Sequence, residues 1–358
     1  MPLTAAFDLA RQRPALSEAM QLAARHAASA RQQRSLHPVV AEALSTAGFA
    51  RSFVPASRGG QPQSFAALLP QVGALASACP SAAWCATILA VVGRMAAYLP
   101  AIAQQEIWHA GPDVRLSASF RSTGTVTREG DGWRLAGTWH YLSGIAHAHW
   151  ALLCIDCDDG QARFAALPAG CWSVLDDWAT LGMRGTGSHS IRLEGVQVPR
   201  HMTFLRQDLV AGQSSHSEGP QYQASPMGAD PQLFVACALG AARRGLEYAR
   251  QAPVSEGGAV ALARAEAALD GAWLLLREAC LRTDQGALPA PQVARNARDA
   301  TYAAEQLLAA MDALLRLAGA RAQFEDNPLQ QAWRDIHTLA THIGLRPETV
   351  YPRYVALT

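Results

Sequence analysis

The apolar residues of this chain change their spacing twice. From residue 1 to 111 they recur at helical intervals: "LHPVVAEALSTAGFA" closes near Gly48, and "SFAALLPQVGALASACPSAAWCATILAVVGRMAAYLP" carries two further helical runs divided at Pro80. From 112 to 206 the pattern shortens to alternation. "VRLSASFR", "GTVTREGDGWRLAGTWHYLSG", "HWALLCIDCDDGQARFAALP" and "HSIRLEGVQVP" are set off by the turn sequences "EGDG" and "DDG", the mark of antiparallel hairpins. Residues 207–230 are rich in Ser, Gln and Gly and read as a mobile loop or linker. Beyond 231 the spacing is helical again, in four long amphipathic segments ending with "WRDIHTLATHIG". The prediction is an α+β multidomain chain: an N-terminal helical domain (1–111), a central antiparallel β-domain (112–206), a linker (207–230) and a C-terminal four-helix bundle (231–358).

Composition narrows the function classes. Of 358 residues half are hydrophobic, enough for a large core. With 30 basic and 29 acidic residues the net charge is +1, which gathers neither nucleic acid nor anionic lipid. Partners are then small molecules or copies of the chain. The N-terminus lacks a basic-then-apolar leader, and "SAAWCATILAVVG" is too short to span a bilayer, so a cytoplasmic location without membrane contact is expected. Seven cysteines, an odd number, do not form a disulfide framework. Cys154 and Cys157 make a C-x-x-C, but on a strand that spacing sends the thiols to opposite faces, and no second pair completes a metal site. His140, His147 and His149 crowd one hairpin without acidic or cysteine partners, and read as surface or supporting histidines.

Helices, then strands, then a bundle is an uncommon order, and it resembles the acyl-CoA dehydrogenase fold. "GWRLAGTWHYLSG" is similar to a strand pair of that family, and "WATLGMRGTGSHSIRLEGVQVP" to its strand leading into an acidic-x-Val-x-Val-Pro turn. The Arg334–Asp335 pair matches the helix that precedes the dehydrogenase glutamate, yet this chain continues as "THIG", with no carboxylate. Glu247, in "RRGLEYAR", lies near the alternative position for that base. The set "CPSAAW", "YLSG", "GTGSHS" and "PLQQAWRDIHTLATH" resembles instead the reduced-flavin-dependent monooxygenases of the same fold, such as the oxygenase component of p-hydroxyphenylacetate hydroxylase and dibenzothiophene monooxygenase. The resemblance implies FMN or FAD delivered in reduced form by a separate flavin reductase. It further implies addition of O2 at the flavin C4a carbon, transfer of one oxygen atom to a small aromatic or amine-bearing substrate, and a homotetramer. A flavin-dependent acyl-CoA dehydrogenase using Glu247 and a non-catalytic flavin-binding paralogue are the competing expectations.

The chemistry needs a group that titrates near neutrality, which histidine does unaided. In a continuous helix over 331–344, His337 and His342 stand about 140° apart, so they cannot share a metal. The resemblance places His342 at the flavin, with His337 the second choice; for each, the ordinary alternative is a capped or core histidine. It also sets Ser143, flanked by Leu142 and Gly144, at the flavin N5 and O4 edge, where a hydroxyl can donate or accept. Ser117, Ser119 and Phe120 would line the isoalloxazine, and Ser122 and Thr123 the ribityl or phosphate, although strand alternation lets only one of each neighbouring pair face it. Trp84, Thr186, Gly187 and Ser188 would border the flavin or the substrate pocket. "GMRGTGSH" is no dinucleotide fingerprint, because a strand rather than a helix follows it. Gly93 or Arg94 stands where several of these oxygenases carry a further histidine.

Overall fold

Helices α1 (Leu3–Arg11), α2 (Pro14–Gln33), α3 (Pro38–Thr46), α4 (Phe65–Ala78), α5 (Pro80–Ala96) and α6 (Ala101–Ile107) open the chain in a computed structural model that describes residues 1–251 and 256–357. Ser64 caps α4 by accepting the Ala67 N–H at 3.1 Å. The Asp284 carboxylate takes the Phe65 and Ala66 N–H groups at 2.6 and 3.0 Å, which ties this helix to the C-terminal bundle. The apolar "SAAWCATILAVVG" run forms most of α5 and is buried along nearly its whole length. Among the described residues no helix is long and apolar enough to cross a membrane.

Eight strands follow: β1 (Leu116–Ser119), β2 (Thr125–Glu129), β3 (Gly132–Leu142), β4 (Trp150–Asp156), β5 (Ala162–Pro168), β6 (Ser173–Leu175), β7 (His189–Val198) and β8 (Thr203–Leu205). They make two four-stranded sheets, ordered β1-β4-β5-β8 and β2-β3-β7-β6. The expectation of a purely antiparallel domain is corrected at one edge, where β1 runs parallel to β4. Trp139 fills the space between the sheets and donates its indole N–H to Cys154 O at 2.9 Å. All four residues of β1 are buried, so alternation does not select among them.

The stretch 207–230 is not a loop throughout. It holds most of α7 (Arg206–Ala211), a 3-10 turn at Pro220–Tyr222 and the start of α8 (Pro226–Ala249). Buried Arg94 fastens it, donating to Gln221 O at 3.3 Å, Ala224 O at 2.7 Å and Asp230 at 2.8 Å. Position 94 is thus a structural ion pair. The bundle continues with α9 (Glu256–Thr283), α10 (Ala290–Ala318), α11 (Pro328–Leu339) and α12 (Pro347–Leu357), three long helices and two short ones rather than four long. Its axis is α8, which packs against α4, α9, α10 and α11.

Candidate active site

Asn327 starts α11, its side chain accepting the Leu329 N–H at 2.9 Å, and the helix stops at Leu339. The continuous helix expected over 331–344 is therefore shorter, and the angular argument separating the two histidines fails. His337 lies on the helix. Its Nε2 meets Asp312 on α10 at 3.0 Å and its ring packs on Trp333 with centroids 4.2 Å apart, while the Trp333 indole donates to the same carboxylate at 2.6 Å. That clamp joins α10 to α11, away from the other candidates.

His342 lies past the helix end, in the turn. Its Nδ1 accepts the Gly344 N–H at 3.2 Å, so Nδ1 carries no proton and the neutral ring holds its hydrogen on Nε2, which has no partner among the described residues. The ring packs against Phe234 (4.8 Å between centroids) and edge-on to Trp84 (5.7 Å). Part of its surface stays open, but loss of water around the ring pushes its pKa down to about 4. Near neutral pH it is an uncharged imidazole presenting an N–H.

Trp84 connects this ring to the β-domain. Its indole N–H donates to Ser143 Oγ at 2.9 Å; Ser143 and Ser188 hydroxyls are 2.7 Å apart, Ser188 and Thr186 are 2.7 Å apart, and Thr186 Oγ1 donates to Met183 O at 2.8 Å. Each hydroxyl has one proton, so the last bond fixes the sense of all the others. Thr186 gives its proton to the carbonyl, Ser188 gives to Thr186, Ser143 gives to Ser188. Ser143 is left with one lone pair and no proton to offer. Gly144, at φ +69, turns the chain sharply after β3 and sends its N–H to Thr186 O at 2.8 Å, closing the two loops on each other.

The remaining candidates divide. Ser117 donates to Ser143 O and Ser119 to His140 O (each 2.8 Å), stitching one sheet to the other, while Thr123 donates to Thr138 O (2.5 Å) within the β2–β3 hairpin, so none of these protons is offered to a cofactor. Ser122 accepts the Asp156 N–H at 3.0 Å. Leu142 is fully buried beneath Ser143, and Gly187, at φ +52, passes close against Arg34 O. Phe120 keeps 44% of its surface exposed.

Tyr141 is a residue the sequence reading passed over. It is 61% exposed at φ +66, a left-handed conformation that a bulky side chain rarely takes, where a bulge interrupts the pairing of β3 with β7. Its ring stands edge-on to Trp178 at 6.3 Å. The left-handed backbone turns this aromatic ring to the surface two residues before Ser143. Phe234 was passed over because an apolar residue on a helix reads as core. His147, by contrast, is engaged elsewhere: Nε2 donates to Leu36 O at 2.8 Å, and burial lowers its pKa.

These features fit a flavin: an aromatic wall at Tyr141 and Trp178, a spare acceptor on Ser143 and a neutral N–H on His342. Residues 232–347 match the family described as acyl-CoA dehydrogenase, C-terminal domain. The chain has the acyl-CoA dehydrogenase fold. Its relatives and structural neighbours are flavin-dependent monooxygenases. The flavin-dependent monooxygenase oxygenase subunit HsaA of Mycobacterium tuberculosis is 28% identical, over 89% of this chain and 87% of its own. The FADH(2)-dependent resorcinol hydroxylase oxygenase component of a Rhizobium species is 27% identical, over 90% and 88%. XiaF from a Streptomyces species, solved in complex with FADH2 and glycerol, superimposes with a TM-score of 0.90 at 25% identity, covering 99% of this chain and 96% of that one. Against the dehydrogenases of the fold stands Glu247. It is exposed and paired with Arg243 at 2.9 Å, thirteen residues along α8 from Phe234, a rise of about 20 Å.

Proposed function

We propose that this acyl-CoA dehydrogenase-fold protein is the oxygenase component of a two-component flavin monooxygenase. It takes reduced FMN or FAD from a separate reductase and inserts one atom of O2 into a small phenolic or other aromatic molecule, working in the cytoplasm as a homotetramer. The observation that carries the reading is the pairing, through Trp84, of an accepting Ser143 with a neutral His342 where a dehydrogenase would hold a carboxylate. The flavin, when bound, supplies the reaction with dioxygen.

The residues do the rest. Tyr141 and Trp178 form the wall for the ring system. Ser143 accepts from an N–H at the ring edge and cannot donate there while its proton is held by Ser188. His342 offers its Nε2–H toward developing negative charge; losing that proton from a neutral ring is difficult, so its part is hydrogen bonding and the protection of reactive oxygen from bulk water. Trp84 and Phe234 exclude solvent around it.

Rapid mixing of the protein and reduced FMN, without oxygen, against oxygenated buffer tests the class. The expected result is a transient flavin absorbance that precedes the oxidised spectrum. Direct appearance of oxidised flavin, with FMN and again with FAD, would overturn it.

A further inference from the structure

One carboxylate near this network has no role in what precedes. Asp335, on α11, accepts the Met183 N–H at 2.5 Å and makes no ion pair among the described residues, although Arg31 from α2, Arg244 from α8 and its own neighbour Arg334 lie around it, with the Cys79 thiol at the start of α5. Burial pushes its pKa up to about 6. A carboxylate with only part of its surface in water and one backbone hydrogen bond is costly to ionise.

What it holds is the anchor of the hydroxyl chain. Met183 sits at φ +53, left-handed for a residue with a long side chain, and is buried. Its carbonyl receives the Trp178 indole at 3.1 Å and the Thr186 hydroxyl at 2.8 Å. The preceding Gly182 N–H is taken by Thr338 Oγ1, one turn along from Asp335, at 2.8 Å. The helix thus grips two successive N–H groups and thereby aims the carbonyl that sets the sense of every hydroxyl up to Ser143. We propose that Asp335 is a positioning residue for Ser143, acting through Met183, Thr186 and Ser188 to keep Ser143 an acceptor. Without that grip the chain can reverse, and Ser143 becomes a donor.

The consequence for cofactor state rests on the oxygenase reading above: reduced flavin carries a proton at N5 and oxidised flavin a lone pair, so an accepting Ser143 favours the reduced form. The test has two arms. In the flavin-free protein labelled with 15N-tryptophan, the Trp84 indole N–H, assigned by its loss in Trp84→Phe, reports the state of Ser143. Asp335→Asn keeps an oxygen for the Met183 N–H and leaves that resonance in place; Asp335→Ala moves it further than the indoles outside the chain, while the Trp178 indole, which donates to the same Met183 carbonyl, reports whether that carbonyl has moved. Should Asp335→Ala not fold, the near-isosteric Thr338→Val, which frees the Gly182 N–H, is expected to move the Trp84 resonance in its place. A Trp84 resonance unmoved in a folded variant, whether or not the Trp178 resonance has moved, would overturn the proposal. In the second arm the ratio of oxidised to reduced FMN dissociation constants falls roughly 3–10-fold in Asp335→Ala and is kept in Asp335→Asn, the worth of one hydrogen bond. A shifted Trp84 with an unchanged ratio upholds the positioning role and counts against Ser143 as the group at the flavin.

Discussion

His342 acts by what it lacks. Its Nδ1 is spent on its own turn and its pKa lies at about 4, so it is uncharged through the physiological range. Two outcomes follow for this side chain. His342→Ala should leave reduced-flavin binding within about 3-fold but raise the hydrogen peroxide released per O2 consumed about 10-fold, measured with a peroxidase assay during turnover; unchanged coupling would remove His342 from the chemistry. The second is a pH effect. The unfolded histidine titrates near 6.5 and the folded one near 4, so between these values the unfolded chain binds a proton that the folded chain does not. The stability this residue permits above pH 6.5 is therefore lost progressively down to pH 4, by up to about 3 kcal/mol, an upper figure because part of the ring meets water. Denaturant unfolding of wild type and His342→Gln at pH 7 and pH 5 checks it: the variant should lose less on acidification. Tyr141 provides the complementary case. Tyr141→Gly relieves a left-handed backbone by about 1 kcal/mol while removing the exposed ring, so unfolding should show equal or greater stability and flavin titration a weaker affinity. A parallel fall in both would mean that the ring packs for stability alone.

At the scale of elements, α11 gathers the site and was only half legible. The change from helical to alternating spacing and back announces the layer order, because period is what burial imposes on a sequence. The end of α11 is not announced: "HTLATHIG" has no glycine or proline until Gly344, and the helical period runs on past the point where the structure turns at Ala340. That placed His342 on a helix face it does not occupy. The resemblance names His342 without using that geometry. Ser143 is expected at the flavin and Trp84, Thr186 and Ser188 at the flavin or the substrate pocket, but their order of donation could not be read, because it depends on which hydroxyl meets a carbonyl some forty residues from Ser143. Met183 and Asp335 escaped for the same reason. Gly182 gives this element its sharpest test. A Cβ there would lie 2.1 Å from Arg334 O and 2.6 Å from Asp335 N, both backbone atoms that cannot rotate aside. Gly182→Ala must push α11 from the Met183 turn, with an expected loss of about 2–4 kcal/mol by urea unfolding. Asp335→Asn, which disturbs no packing, should cost less than 1 kcal/mol and can stabilise at pH 8, where the native carboxylate is ionised. Equal costs would show that the turn, not the helix, fixes Met183.

For the whole molecule the unanswered surface is that of the bundle. Along α9, Val260, Ala267, Leu274 and Leu281 recur every seven residues, and all four face outward; Leu274 is 60% exposed and Val260 51%. A stripe of apolar residues turned to solvent along a helix is suited to packing against another helix. Among the described residues no element covers it. Tyr302 on α10 and Val355 on α12 are also exposed. With a net charge of +1 no strong field keeps copies apart. A second copy of the chain is the occupant that these facts favour, which agrees with the homotetramer inferred above. Light scattering should give a mass about four times the 38.1 kDa of one chain. Leu274→Glu puts a charge into the seam, where pairing would bury it without a partner, and should split the assembly without lowering the helical signal in circular dichroism. If the variant keeps the parent's mass, the stripe lies outside the subunit contact. If the parent itself runs as a monomer, the seam has no partner of its own kind and the tetramer is wrong.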